Sequence, residues 1–153
     1  MTLLAASLVL ATAATAGVER RIVAATNMER RALGLHTLRE DSRLGEAAQR
    51  HSDEMLRLGK LSHQSPTRGL ETPSKRASEA GVKWRKVAEN VAYYQGYRPA
   101  GSKVVADWMA SPHHHANIVD PDFRLIGVAT ACGGDKCYVT QMFAVEPAKI
   151  DAP

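Results

Sequence analysis

The sequence predicts an α+β domain in which helices cover an antiparallel sheet. Apolar residues recur at helical spacing through the first part of the chain, two runs rich in β-branched and aromatic residues follow near its end, and a Gly-Gly turn joins those runs. Helices first and a hairpin last are typical of this class. The length of 153 residues fits one domain, and 44% apolar with 24% charged residues is typical of a globular protein.

The N-terminal segment carries no charge before Glu19 and begins with an apolar run that leads into small residues. Residues 14–16, Ala-Thr-Ala, resemble a signal peptidase site. We therefore expect residues 1–16 to be a secretory signal peptide and residues 17–153 to be a single exported domain, periplasmic or extracellular. The positively charged n-region is missing, so either it is atypical or the sequence is truncated at its start. A membrane anchor is disfavoured because the run is short and rich in Ala and Thr.

Two longer helices are predicted first. Residues 18–33 form one that ends before Gly34, with a core stripe of Val18, Ile22, Ala25, Met28 or Glu29, and Leu33. The next begins at Asp41, a good N-cap, and ends at Gly59. Its apolar stripe is Leu44, Ala48, His51, Met55 and Leu58, so His51 is expected to face the core as a structural residue.

A polar loop and two shorter helices are predicted next. The loop, residues 60–71, contains His63, and a short helix follows between Thr72 as N-cap and Gly81. Residues 82–94 are ambiguous between helix and strand. Ser102 is expected to cap a fourth helix that ends at Ser111, because the following proline disfavours helix.

The last elements are the two strands, residues 123–132 and 137–145, with one cysteine at each side of the turn. In an oxidising compartment Cys132 and Cys137 are expected to form a disulfide. The alternative, half of a metal site, lacks a second cysteine pair.

The net charge of +4 does not indicate nucleic-acid binding, because the basic residues alternate with acidic ones at helical spacing. This pattern is typical of solvated helix faces. The residues concerned are Arg20, Arg21, Arg30, Arg31, Arg39, Arg43, Arg50 and Arg57.

Three consecutive histidines, residues 113–115, are the most conspicuous chemical feature of the chain. Neighbouring side chains diverge in a helix or a strand, so at most one or two of them can face a common ion. A site here needs partners from elsewhere, and His63 and Glu89 are the candidates.

Six short segments resemble, in order, those of bacterial CAP domains, the superfamily of cysteine-rich secretory proteins, antigen 5 and class 1 pathogenesis-related proteins. The segments are TNMERRALGL (26–35), AAQRHSDEM (47–55), LSH (61–63), AENVA (88–92), WMASPHHHANI (108–118) and IGV (126–128).

This resemblance implies a three-layer α-β-α sandwich with a cleft that holds a divalent metal in several relatives. His63 and His114 match the two family histidines, and Glu89, followed by Asn90, matches the first acid. A second acid of the eukaryotic members is replaced here by Ser111. The acid/base set is therefore incomplete.

Two imidazoles and one carboxylate suit Zn(II) or another divalent metal, with Glu89 as a ligand or general base. Equally, Glu89 could serve only to fix the cleft by hydrogen bonding. Ser111, before a proline at a helix end, is expected to be a turn residue rather than a nucleophile.

The leading hypothesis is an exported binding module for an envelope or extracellular lipid, glycan or protein. Its alternative is a metal-dependent, peptidase-like hydrolase that uses the same cleft. A third hypothesis treats the cleft as inert and the surface as the working part.

Overall fold

A computed structural model describes the backbone of residues 3–148 and the side chains of residues 17–148. Its helices are α1 (Leu3–Ala32), α2 (Ser42–Leu58), α3 (Pro73–Glu79), α4 (Gly101–Met109) and α5 (Pro112–Ile118). Its strands are β1 (Arg39–Glu40), β2 (Lys86–Gln95), β3 (Leu125–Gly133) and β4 (Lys136–Val145). The predicted signal peptide, residues 1–16, lies outside the residues whose side chains are described. Within the described part of the chain, no helix has the length and apolar character needed to cross a membrane.

The four strands form one sheet in the order β1-β3-β4-β2. Strands β3 and β4 pair antiparallel, as predicted, and β2 joins them by pairing antiparallel with β4. The sequence analysis did not predict β1, whose two residues pair in parallel with β3 and make the sheet mixed. Two residues are too few to show the alternation that identifies a strand.

Helices cover both faces of the sheet, so the fold is an α-β-α sandwich. Side chains of β4 alternate between the layers: Val139 and Phe143 pack in the same cluster as α1, α4 and α5. Met142 packs with α2 and α3, and Tyr138 with the C-terminal half of α2. Burial on both sides explains why β4 reads as a nearly continuous apolar run.

The predicted caps of α2 are confirmed. The carboxylate of Asp41 accepts hydrogen bonds from the first backbone N–H groups of the helix, and Gly59 adopts a left-handed conformation at φ 63°. The predicted inward stripe is buried through Met55, with His51 1% exposed, but Leu58 is 45% exposed.

The stripe predicted for α1 is wrong in its second half. Met28 and Leu33 are 63% and 57% exposed, whereas Ile22, Thr26 and Arg30 are fully buried at steps of four residues. The expectation of a solvated basic face is likewise wrong for Arg30. Its guanidinium donates to four main-chain carbonyls, those of His36, Ile118, Asp120 and Phe123.

The segment around the histidine triplet differs from the prediction at its boundaries. Helix α4 starts at Gly101, with Ala100 rather than Ser102 at the N-cap position. It ends before Ser111, as expected, and a further helix, α5, then starts at Pro112 with Ser111 as its N-cap. The ambiguous segment forms β2.

The hairpin is confirmed, and the predicted cysteine pair lies at disulfide distance. Cys132 and Cys137 lie opposite each other in the β3–β4 ladder, with their sulfur atoms 2.08 Å apart. Gly134 closes the turn between them at φ 59°.

Candidate functional site

Glu89 is the buried centre of the candidate site. It pairs with Met142 of β4, so its side chain faces the layer of α2 and α3 and is 1% exposed. Its Oε2 accepts a hydrogen bond of 2.6 Å from Nη2 of Arg76, and its Oε1 lies 2.9 Å from Nδ1 of His63. A carboxylate paired with a guanidinium only accepts hydrogen bonds, so Nδ1 of His63 carries the proton. In the neutral ring, Nε2 of His63 therefore keeps its lone pair.

The loop that carries His63 is tied to the helices beneath it. Arg76 donates through Nη1 to the carbonyl of Leu70 at 2.9 Å and through Nη2 to that of His63 at 3.1 Å. Nε2 of His51, on α2, lies 2.7 Å from the carbonyl oxygen of Ser62. The His63 side chain is nevertheless 49% exposed. A half-exposed imidazole is thus held in place by buried partners.

Asn90 supports the site from the opposite face of β2. It is fully buried, and its Nδ2 donates to the carbonyl of His114 at 3.2 Å and to Oε1 of Gln141 at 3.0 Å. Asn117 on α5 donates to Oδ1 of Asn90 at 2.9 Å. These bonds fasten α5 to β2. Asn90 consequently fixes the backbone of α5 at His114.

His114, the middle member of the triplet, is half-buried near the indole of Trp108. Its ring lies 6.4 Å from that of Trp108, centroid to centroid. Burial lowers its pKa, and the positive charges of His63 and His113 lower it further. At neutral pH His114 is therefore uncharged and able to accept a hydrogen bond or bind a metal.

Ser111 and the two remaining histidines have other surroundings. Ser111 is the N-cap residue of α5, and its carbonyl accepts a 2.8 Å hydrogen bond from the backbone N–H of His115. His113 is exposed, while His115 is half-buried. Ser111 thus has the position of a turn residue.

The family model of CAP, the cysteine-rich secretory protein family, matches residues 23–143. The chain belongs to the CAP family. This CAP domain is 36% identical over 110 residues to the uncharacterized protein YkwD of Bacillus subtilis strain 168, covering 72% of this chain and 41% of that protein. It is 32% identical over 125 residues to the uncharacterized membrane protein YlbC of the same strain, covering 82% and 34%. The chain thus spans less than half the length of these relatives.

The fold is shared with a solved structure, an extracellular protein containing an SCP domain from Bacillus anthracis strain Ames. The two superpose with a TM-score of 0.75 and 29% sequence identity, over 86% of this chain and 41% of that one. The predicted family and the predicted α-β-α sandwich are both confirmed.

Two imidazoles, those of His63 and His114, are the metal donors that the predicted site offers among the described residues. Among the residues described here, no group of three or more His, Cys, Asp or Glu side chains is arranged to hold a metal ion. Both oxygens of Glu89 already have partners, which leaves Nε2 of His63 and the ring of His114. Two nitrogen donors suit Zn(II), Ni(II) or Cu(II) with water in the other positions. They fall short of the three protein ligands typical of catalytic zinc.

Sequence reasoning missed Arg76, which neutralises Glu89 from within α3. Its side chain is 1% exposed, but a basic residue in a short polar helix is indistinguishable by pattern from a surface residue. His51, expected to be structural, also borders the site, with Nε2 3.8 Å from Oε1 of Glu89. Burial, the largest influence, lowers the pKa of His51, while the charge of Glu89 opposes that shift.

Proposed function

We propose that this CAP domain is an extracellular binding module whose cleft holds an envelope ligand between His63 and His114. The observation that carries the proposal is the hydrogen-bonded series from Arg76 through Glu89 to His63. It fixes an exposed imidazole with its Nε2 free to accept from a ligand. An extracellular location is supported by the SCP-domain protein of Bacillus anthracis, which is described as extracellular.

The arrangement of Glu89 favours binding over hydrolysis. A general base needs a free lone pair within reach of the water that it deprotonates. Glu89 is 1% exposed and shares its two oxygens between Arg76 and His63. By the family resemblance, Ser111 stands where eukaryotic members have a second acid. A complete acid/base pair is therefore lacking, and the hydrolase alternative has less support than the binding module.

A second proposed function is weak divalent metal binding by His63 and His114. A carboxylate that accepts from one ring nitrogen of a histidine orients the other nitrogen toward a metal, and Glu89 stands in that relation to His63. When bound, the ion would supply a Lewis-acidic position that attracts a carboxylate or phosphate group of the ligand. Weak affinity is expected, because two protein ligands leave the remaining positions to water.

Calorimetric titration with Zn(II) tests the metal proposal. The wild-type domain should give a saturable heat that the His63→Ala, His114→Ala double variant loses. The matched control removes His113 and His115 instead and should behave like wild type. Affinity should also fall below about pH 6, where histidines become protonated. Uptake that the double variant retains would contradict ligation by the cleft histidines.

Cosedimentation with defined envelope material tests the binding proposal. The probes are phosphatidylglycerol vesicles and purified peptidoglycan, both anionic and therefore attracted by a domain of net charge +4. The expected result is saturable binding to one of them that the cleft double variant weakens and the control double variant keeps. Equal binding by both variants would place the interaction elsewhere and contradict the proposal. If the domain bound neither the vesicles nor the peptidoglycan, that result would also contradict the proposal.

A further inference from the structure

A groove of about 510 Å³ lies where the segment between α3 and β2 meets the chain that leaves β4, and it is open to solvent along one side. Sites for small organic groups usually have volumes of roughly 300–1,000 Å³. The apolar residues Val82, Trp84 and Pro147 form much of its wall. None of the residues proposed for the histidine cleft lines it. The groove is therefore a surface feature that the cleft does not explain.

The indole of Trp84 is the fixed apolar surface of this groove. Its Nε1 donates a hydrogen bond of 2.8 Å to the hydroxyl oxygen of Ser78 on α3. The neighbouring Val82 is buried, and its backbone N–H donates to the carbonyl of Ala77. Trp84 is nevertheless 37% exposed. A rigid ring that is already oriented loses little freedom on binding, and tryptophan is among the residue types that contribute most at binding surfaces.

The charge at this groove is positive. Lys83 is exposed and lines it, and no Asp or Glu is among its described lining residues. Glu79 and Glu146, which adjoin lining residues in the chain, each pair with an arginine of α2, Arg50 and Arg43 respectively. Lys83 itself has no ion-pair partner among residues 17–148. Its compact ammonium group, on a flexible stem, is therefore free to bind an anion at the rim of the groove.

These features favour a ligand that is apolar on one side, hydrophilic on the other and negatively charged. The face of an indole carries negative partial charge, which attracts the weakly positive C–H groups of a saturated ring. Because the groove is open, the outer side of the ligand stays in water. The hydroxyl of Ser78 still has its own hydrogen to donate, and the ammonium of Lys83 only donates, so acceptors on the ligand are matched. A pyranose ring that carries an acidic group combines these properties.

We propose that this groove binds an anionic hexopyranose residue of a polysaccharide, with the sugar ring on the indole of Trp84 and its carboxylate or phosphate at Lys83. The groove is a second site, and it requires neither the histidine cleft nor a metal. Affinity for a single sugar residue is expected to be about 1 mM or weaker, because an open groove covers only one side of the ring.

The test is a nuclear magnetic resonance titration of the 15N-labelled domain with methyl β-D-glucuronide, glucose 6-phosphate and the neutral methyl β-D-glucoside. Saturable shifts should concentrate in residues 78–86 and 145–148 and in the indole N–H of Trp84. At least one anionic sugar should bind about twofold to fivefold more tightly than the glucoside, the effect of an exposed ion pair. The tighter of the two identifies the acidic group as a carboxylate or a phosphate. Acetate, which has charge but no ring, should bind at least about tenfold more weakly than the glucuronide.

Two variants separate the roles of the ring and the charge. Trp84→Leu removes the flat face, keeps an apolar side chain and should weaken glucuronide binding at least about fivefold. Its control Tyr97→Leu changes an aromatic residue that is 51% exposed and lies outside the groove, and should leave binding unaltered. Lys83→Gln should abolish the preference for anionic sugars. Lys60→Gln makes the same change in net charge at an exposed position outside the groove and should keep that preference.

Several results would overturn the proposal. They are the absence of a saturable response, shifts confined to other regions, equal affinity for all three sugars, and full glucuronide binding by Trp84→Leu. A stronger response to benzoate than to the glucuronide would assign the groove to aromatic acids and would overturn it as well. The comparison of probes uses the wild-type chain alone and so holds even where a variant fails to fold. The His63→Ala, His114→Ala double variant should bind the glucuronide like wild type, so failure of this proposal is distinguishable from failure of the cleft proposal.

Discussion

Replacing Arg76 by methionine should destabilise the domain strongly, because it leaves the charge of Glu89 buried without its partner. Both side chains are 1% exposed and joined by a 2.6 Å hydrogen bond. Methionine fills similar space but provides no donor. The same change removes the hydrogen bonds that Arg76 makes to the carbonyls of Leu70 and His63. The loop that presents the His63 imidazole thereby loses two of its anchors.

The expected loss is about 3–5 kcal/mol in the free energy of unfolding, the usual cost of removing one partner of a buried ion pair. At roughly 2–4 °C per kcal/mol for a chain of this size, Tm should fall by roughly 6–20 °C. Urea unfolding without reductant, followed by circular dichroism, measures this directly. The double variant Arg76→Met, Glu89→Gln should recover part of the loss, since no unpaired charge remains.

Arg50→Met is the matched control. Arg50 also pairs with a glutamate, Glu79, but at 3.5 Å and with both side chains at least half exposed. Its loss should cost less than about 1 kcal/mol. If Arg76→Met were no more destabilising than Arg50→Met, the buried pair would not hold the site together. A double variant no more stable than Arg76→Met would show that the cost does not come from the unpaired charge.

Three further predictions concern the sheet and the core. Gly127→Ala should lower the free energy of unfolding by about 1–3 kcal/mol, because an added Cβ would lie 2.3 Å from the backbone of α2. The control Gly133→Ala meets only the flexible side chain of Leu56, at 3.3 Å, and should have a small effect. Chemical denaturation of both variants measures the difference. Replacing both Cys132 and Cys137 by serine should lower the free energy of unfolding by about 2 kcal/mol, the contribution expected of a disulfide that closes so short a loop. Because the serine variant has no disulfide to reduce, adding reductant should leave its Tm unchanged. Burial lowers the pKa of His51 below its unfolded value of about 6.5, so the free energy of unfolding should fall as the pH drops through that value. The fall should be less steep in His51→Gln. Urea midpoints measured between pH 8 and pH 5 give the slope for both proteins.

Local signals in the sequence predicted helix ends and turns well, because capping and turn residues act on the backbone next to them. Asp41 and Gly59 bound α2 as expected, because an N-cap acceptor and a left-handed glycine act within a few residues of their own position. The Gly-Gly turn with flanking cysteines also forms as predicted.

Buried charges could not be predicted in this way. Arg30 and Arg76 occupy helices whose polar pattern indicates solvent, yet both are buried against partners that are distant in sequence or lie in loops. Periodicity reports which face a residue occupies but carries no information on a remote acceptor that draws a guanidinium inward. The resemblance to CAP domains predicted His63, Glu89 and His114 as residues of one cleft, and the structure joins His63 to Glu89 by a hydrogen bond. The role of Arg76 became apparent only from the three-dimensional contacts.

The most direct test of the cleft is the pKa of His114, measured by nuclear magnetic resonance in wild type and in single variants. If His63 and His114 face each other, the wild-type pKa lies below about 6.5 and rises in His63→Gln, because a neighbouring positive charge is removed. The control His115→Gln removes the adjacent histidine of the same helix, which does not contribute to the shift, and should change little. An identical His114 titration in wild type and His63→Gln would contradict the convergence of the two imidazoles, and with it the proposed binding cleft.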